Sequence, residues 1–157
     1  MAGNINNPGK FVIRVYGLLA NNKDEVLLSD EYRFGMLMTK FPGGGLEYGE
    51  GPEDCLRREA LEELGQKIEI VRHFYTTGFF QQAMFYDNSQ LISIYYIIKT
   101  KSKTRFAVSG KPFDFSEKTE GSISFRWKKI MSLEPENDLT FPIDRYVAGM
   151  LKKDYCR

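Results

Sequence analysis

Cysteine and histidine are nearly missing from this chain: two cysteines and one histidine in 157 residues. Cys55 and Cys156 stand far apart, so a disulfide framework is not expected and a reducing, cytoplasmic setting fits. The lone His73 has no second His or Cys near it, so it reads as a strand or edge residue rather than a ligand or base. Excess charge is missing as well. Lys and Arg number 22 against 21 for Asp and Glu, which leaves no global field to draw in a nucleic acid or an anionic membrane. No apolar run is long enough to span a bilayer. The opening residues, MAGNINNPGK, lack the charged and apolar regions of a signal peptide, and residues 1–9 read as a flexible lead-in. Repeats, low-complexity segments and domain boundaries are absent too. The 42% hydrophobic content suits one domain spanning residues 1–157 with an ordinary core.

What is present is a stretch of unusual density, FPGGGLEYGEGPEDCLRREALEELGQ, residues 41–66. It reads as a strand end, a glycine turn and one short helix. Pro52 suits the first helical position, where its missing amide costs nothing. Glu53 and Asp54 follow in the first turn, where negative charge suits the helix dipole, and Gly65 is placed to end the helix in a left-handed conformation. At about 100° per residue, Glu59, Glu62 and Glu63 share one face, with Ala60, Leu61 and Leu64 mostly opposite as the core side. Such like-charged neighbours repel by ~0.2–0.5 kcal/mol per pair. Two explanations are open: a solvated acidic face, as most helix charge runs are, or a site for a hard divalent cation.

Elsewhere the pattern alternates between strand signals and turns. Residues 11–20 (FVIRVYGLLA) read as a strand, the cluster at residues 21–24 as a turn, and residues 25–29 as the returning strand of a hairpin. Residues 36–41 deliver the chain to Pro42 and the glycines, and residues 67–76 alternate as a strand should. Residues 90–100 (QLISIYYIIKT) are apolar on both faces and so read as a central strand, with residues 79–86 as its expected hairpin partner. Residues 101–120 read as a loop, residues 123–129 as a strand, and a last helix opens at Thr140-Phe141-Pro142 and runs to about residue 153. This order predicts an α/β fold, a mixed β-sheet between helices.

The spacing in the central stretch sharpens the reading. Gly44, Glu50, Arg58-Glu59, Glu62-Glu63 and Gly65 match every fixed position of Gly-x5-Glu-x7-Arg-Glu-U-x-Glu-Glu-x-Gly-U, with U a bulky aliphatic residue. The stretch therefore resembles the Nudix box of the Nudix hydrolases. It departs only at two U positions, where Ala60 is small and Gln66 polar; Ile68 is the residue expected to take over the packing.

The resemblance implies an α/β/α sandwich and hydrolysis of a phosphoanhydride in a nucleoside diphosphate linked to another moiety, a (d)NTP first, giving the monophosphate and pyrophosphate. It implies Mg2+, or Mn2+, held by the Gly43 carbonyl, Glu59, Glu62 and Glu63. Arg58 would orient Glu59, and Glu50 would brace the loop, a base role being its alternative. Glu120, and less well Glu117, stands where many members place a further acid as base or ligand; a solvated loop acid is the alternative. Phe141 and Asp144 fall where nucleotide-cleaning members bring an aromatic ring and an acid to the base, and they equally suit a plain helix start. Phe79, Phe80 and Tyr86 could line a pocket or belong to a core. The expected partner is a small nucleotide, without nucleic acid or membrane, and a homodimer is compatible. The rival from another class is an inactive binding or regulatory module on the same scaffold. It predicts damage at Arg58, Glu59, Glu62 or Glu63, and all four are intact.

Overall fold

The computed structural model describes residues 8–157; most of the lead-in expected at residues 1–9 lies outside them. Seven strands and three α-helices follow in order: β1 (Lys10–Leu19), β2 (Glu25–Arg33), β3 (Met36–Lys40), β4 (Gly43–Gly45), α1 (Pro52–Leu64), β5 (Ile68–Thr76), β6 (Ser89–Thr100), β7 (Ser122–Lys129), α2 (Pro135–Asp138) and α3 (Pro142–Tyr155). The strands form two sheets rather than one. The first is mixed, in the order β4-β1-β6-β5, with β1 and β6 parallel; the second is antiparallel, in the order β3-β2-β7.

Period-two alternation in the strands divides the core between the helices. Tyr16 and Leu18 of β1, Val26 and Leu28 of β2 and Tyr95 of β6 pack with Ile143, Val147 and Leu151 of α3. Their neighbours Val15, Leu19, Leu27 and Tyr96 pack with Cys55, Leu56, Ala60 and Leu64 of α1. One helix thus covers each face, the α/β/α arrangement expected. Ile68 is buried beside α1, in the packing role expected of it.

Four expectations are corrected. β1 and β2 are not a hairpin: they meet only at the bridge Ala20–Val26, because β4 and β6 already occupy both edges of β1. Residues 79–86 are not a strand. β5 takes the outer edge of β6 from Ile94 onward, so this segment meets only the start of that strand, through the single bridge Gln82–Gln90, and stays a loop. Strand β2 continues past Ser29 through Asp30-Glu31-Tyr32-Arg33, since its charged residues find partners inside. Leu61, expected on the core side of α1, is exposed; the buried stripe is Cys55, Leu56, Ala60 and Leu64.

Candidate active site

Helix α1 begins with Pro52 in its first turn and ends at Gly65, which is left-handed at φ 61° and returns its amide to Leu61. These ends fix where the acidic face lies. Strand β4 runs antiparallel to β1 beside it, with Gly43 opposite Tyr16. Gly43 sits at φ 152°, pressed so close to β1 that a side chain would strike the Val15 carbonyl. Gly44 has the closer functional neighbour: a Cβ there would overlap the Glu59 carboxylate. Bare backbone is therefore what lets Glu59 lie against the glycine strand.

Arg58 ties this face together. Its guanidinium grips Glu50 with both prongs, at 3.0 and 2.7 Å, and donates to Glu59 Oε1 at 3.1 Å, Glu62 Oε2 at 3.2 Å and the Gly45 carbonyl at 3.1 Å. Glu50 also accepts the Glu47 amide at 2.9 Å. These bonds, Arg58's first, hold the Glu50 carboxyl down to about 2, so it is ionised and braced. Cys55 lies beneath the turn with its thiol pushed up to about 12 by burial, which leaves it inert.

Glu63 is the unsettled member. Burial is the main cause that pushes its carboxyl up to about 7; Glu31 and Glu59 add to the effect, while Lys40 opposes it. Its Oε2 is buried with no hydrogen-bond partner. Next to it, Lys40 donates to the Gly43 carbonyl at 3.2 Å and pairs with Glu31 at 3.1 Å, both side chains being under 5% exposed. Among the described residues, no three acidic, His or Cys side chains converge as a ready-made metal cage. Mg2+ does not require one, since it is commonly bound by one or two carboxylates together with substrate phosphates and water. Hard oxygens at Glu59 and Glu63, the orphaned Glu63 Oε2 and the Gly44 cradle fit such an ion.

Beside this face opens an aromatic-lined cavity of about 130 Å3. Its wall includes Arg14, Tyr16, Glu31, Lys40, Ser93, Phe141 and Asp144. Phe141 is the residue before α3 and Asp144 lies in its first turn. Asp144 is 1% exposed; its Oδ1 accepts the Tyr95 hydroxyl at 2.6 Å and its Oδ2 has no partner. Burial pushes this carboxyl up to about 6, against the Tyr95 bond and the charges of Lys40 and Arg14. The Ser93 hydroxyl, also buried on this wall, lacks a partner as well. Of the other aromatics considered, Tyr86 lines the cavity, while Phe79 packs edge-on against Tyr146 and Phe80 is exposed.

Glu120 is placed elsewhere. Its Oε1 accepts the Phe34 amide at 2.8 Å, and no hydrogen bond or ion pair joins it to the acidic face. Phe34 and Gly35, both at positive φ (52° and 72°), make the two-residue turn between β2 and β3. Glu120 thereby fastens the turn that carries Phe34 on the cavity rim, where its ring stacks on Phe85 at 4.4 Å. His73, given no role, lies on the edge strand β5 and contacts Thr76. Sequence reasoning passed over Arg14, Glu31 and Lys40. The signal for Lys40 was its place directly before Phe41-Pro42-Gly43; Glu31 and Arg14 had none beyond a charge inside a strand.

The sequence model of the NUDIX domain matches residues 10–144. An RNA pyrophosphohydrolase of Psychromonas ingrahamii is 42% identical over 55 residues, 35% of this chain and 29% of that protein. One from Hamiltonella defensa is 35% identical over 75 residues, 48% of this chain and 44% of that protein. The matched segments thus span less than half of these relatives. Among solved structures, a NUDIX hydrolase from Nitrosomonas europaea superposes with a TM-score of 0.65 at 18% identity, covering 96% of this chain and 89% of that one. The E. coli ORF135 protein gives 0.66 at 15%, covering 95% and 94%. At such identities the likeness speaks for the fold. With the family match running over most of the sequence and the glycine strand, Arg58 and acidic helix assembled into one face, the chain belongs to the NUDIX domain family.

Proposed function

We propose that the protein is a divalent-metal-dependent pyrophosphohydrolase that cleaves a phosphoanhydride in a nucleoside diphosphate linked to another moiety. A (d)NTP, giving the monophosphate and pyrophosphate, is the first candidate. The observation that carries this reading is the juxtaposition of an acidic helix face against bare glycine backbone with an aromatic-lined cavity. Glu59 and Glu63, with the Gly43 carbonyl, would hold Mg2+ or Mn2+, and Glu62 would reach it directly or through water. The ion, when bound, supplies the charge that neutralises the phosphoryl oxygens.

The chain's own residues divide the rest of the work. Arg58 keeps Glu59 aimed at the glycine strand, and Glu50 keeps Arg58 in place. With its carboxyl held near 2 by Arg58, Glu50 is the wrong group to take a proton at neutral pH. Glu120 is assigned to the Phe34 turn rather than to proton transfer. Asp144, with one oxygen fixed by Tyr95 and one without a partner, would read a donor on the base edge, and Phe141 would flank the ring. The names of the matched relatives favour a second substrate reading, the 5′-triphosphate end of an RNA, for which the open rim at Phe34 and Phe85 would offer stacking.

A screen of nucleoside triphosphates, nucleotide conjugates and a 5′-triphosphorylated oligonucleotide, scoring released phosphate and pyrophosphate, tests the reading. Turnover is expected with Mg2+ or Mn2+ and none with EDTA. Full activity in EDTA, or none on any substrate, would remove it.

A further inference from the structure

Among the charged residues of the cavity wall, Arg14 differs from the others. Lys40 is paired with Glu31 at 3.1 Å, Arg33 faces the same carboxylate at 3.6 Å, and Asp144 is held by Tyr95. Arg14 has no carboxylate partner among the described residues. Its one hydrogen bond runs from Nε to the Tyr16 hydroxyl at 2.7 Å, and its guanidinium lies 5.6 Å from the centre of that ring. The Nε bond fixes the plane of the fork and leaves the two terminal nitrogens free. A guanidinium so oriented and partly withdrawn from water is a site for a planar, two-pronged contact with an anion.

Its position says which anion. Arg14 pairs in register with Gly45 of the glycine strand, so it stands where that strand meets the cavity. Glu31 and Glu59 are among the charges that act on it. A ligand with its base in the cavity and its scissile bond at the acidic face must pass its first phosphate between the two. Resting on the hydrolase reading above, we propose that Arg14 binds the phosphate that stays with the nucleoside after cleavage, so that it holds both the substrate's first phosphate and the monophosphate product. Tyr16 orients the fork, and Lys40, engaged with Glu31 and Gly43, stays on the metal side.

The test uses binding without turnover. Calorimetric titrations in EDTA compare each common nucleoside 5′-monophosphate with its own nucleoside, on the parent, Arg14→Gln and Arg33→Gln. The parent is expected to bind at least one monophosphate about tenfold or more tighter than its nucleoside, the scale of a charge-assisted hydrogen bond. Arg14→Gln should shrink that gain to within about threefold while leaving nucleoside affinity unchanged, and Arg33→Gln should keep it. A gain that survives in Arg14→Gln, or no gain in the parent, overturns the assignment. If Arg14→Gln also lowers the melting temperature, Arg14→Lys decides: it keeps a positive charge at the same place, and it must retain more of the gain than Arg14→Gln. Loss in both marks a packing effect and overturns the assignment. With EDTA present, these results stand apart from any failure of the hydrolase reading, which shows in turnover alone.

Discussion

Two buried polar clusters lie in this molecule, and they are built on opposite principles. In the antiparallel sheet, Asp30 is fully buried, and its Oδ2 accepts Arg126 Nε at 2.7 Å and the Phe113 amide at 3.4 Å. Its Oδ1 accepts the Thr39 hydroxyl at 2.6 Å and Arg126 at 3.4 Å. Every lobe of that carboxylate is engaged. Around the cavity and α1 the opposite holds: Glu63 Oε2, Asp144 Oδ2 and Ser93 Oγ are buried without partners. A fourth such atom, the Ser124 hydroxyl on β7, lines no part of the cavity. A closed network tolerates burial because each desolvated charge is repaid in hydrogen bonds. An open one is a cluster that a ligand, an ion or a bound water can complete. Among the buried carboxylates, completeness of hydrogen bonding rather than the number of charges separates Asp30 from Glu63 and Asp144; the Ser124 hydroxyl, opposite Asp30 on β7, is the scaffold's own orphan.

The sharpest way to break this contrast is to open the closed cluster. Asp30→Ala strands Arg126 in the interior, and losing one partner of a buried pair costs about 3–5 kcal/mol. For a chain of this size the melting temperature should drop by roughly 10 °C or more. A loss near zero would mean the cluster is not the scaffold element described here.

Glu63→Gln tests the open cluster in the other direction. Removing one charge from the proposed ion site should slow turnover roughly 10^2- to 10^3-fold, about 3–4 kcal/mol of transition-state stabilisation. The metal-free melting temperature should hold or rise slightly, since a repulsion of ~0.2–0.5 kcal/mol is relieved. Glu53→Gln is the control: Glu53 is exposed and pairs with Arg57, so its loss should leave turnover nearly unchanged. Parental turnover in Glu63→Gln would reduce the acidic face to a solvated one.

The third test is in pH. Glu63 goes from 4.5 unfolded to about 7 folded, and Asp144 from 3.8 to about 6, both chiefly through burial. Within those windows the folded state holds more protons than the unfolded one, so metal-free stability falls as pH rises. Below both ordinary values the two groups contribute in full; above about 7 their contribution is gone. Melting in EDTA across this range should show the decline, and Glu63→Gln should flatten its upper part, above about 6, where Asp144 has already lost its proton. A flat profile in the parent would contradict the burial of these carboxyls.

How far the sequence could be read follows from the range of the forces involved. Helix α1 was legible end to end because Pro52, Glu53, Asp54 and Gly65 act within a turn of themselves. The central place of β6 was legible from its two apolar faces. The two-sheet division was not, since it depends on which strand edges are already filled, and neither β1 nor β6 announces its neighbours. The strand was read only as far as Ser29 because Asp30's partners, Thr39, Phe113 and Arg126, are scattered over much of the chain. In the site, the residues at fixed spacings stood out. Arg14, Glu31 and Lys40 did not, because only folding brings strands β1, β2 and β3 to the same cavity.

Gly44 carries a consequence for how this chain can vary over generations. A Cβ there would meet the far end of the Glu59 side chain, so enlargement is accommodated by swinging that carboxylate aside. Every glycine codon lies one base change from alanine, and that methyl group would displace Glu59 from β4. The smallest inherited step in side-chain size would thus also move a carboxylate of the proposed ion site.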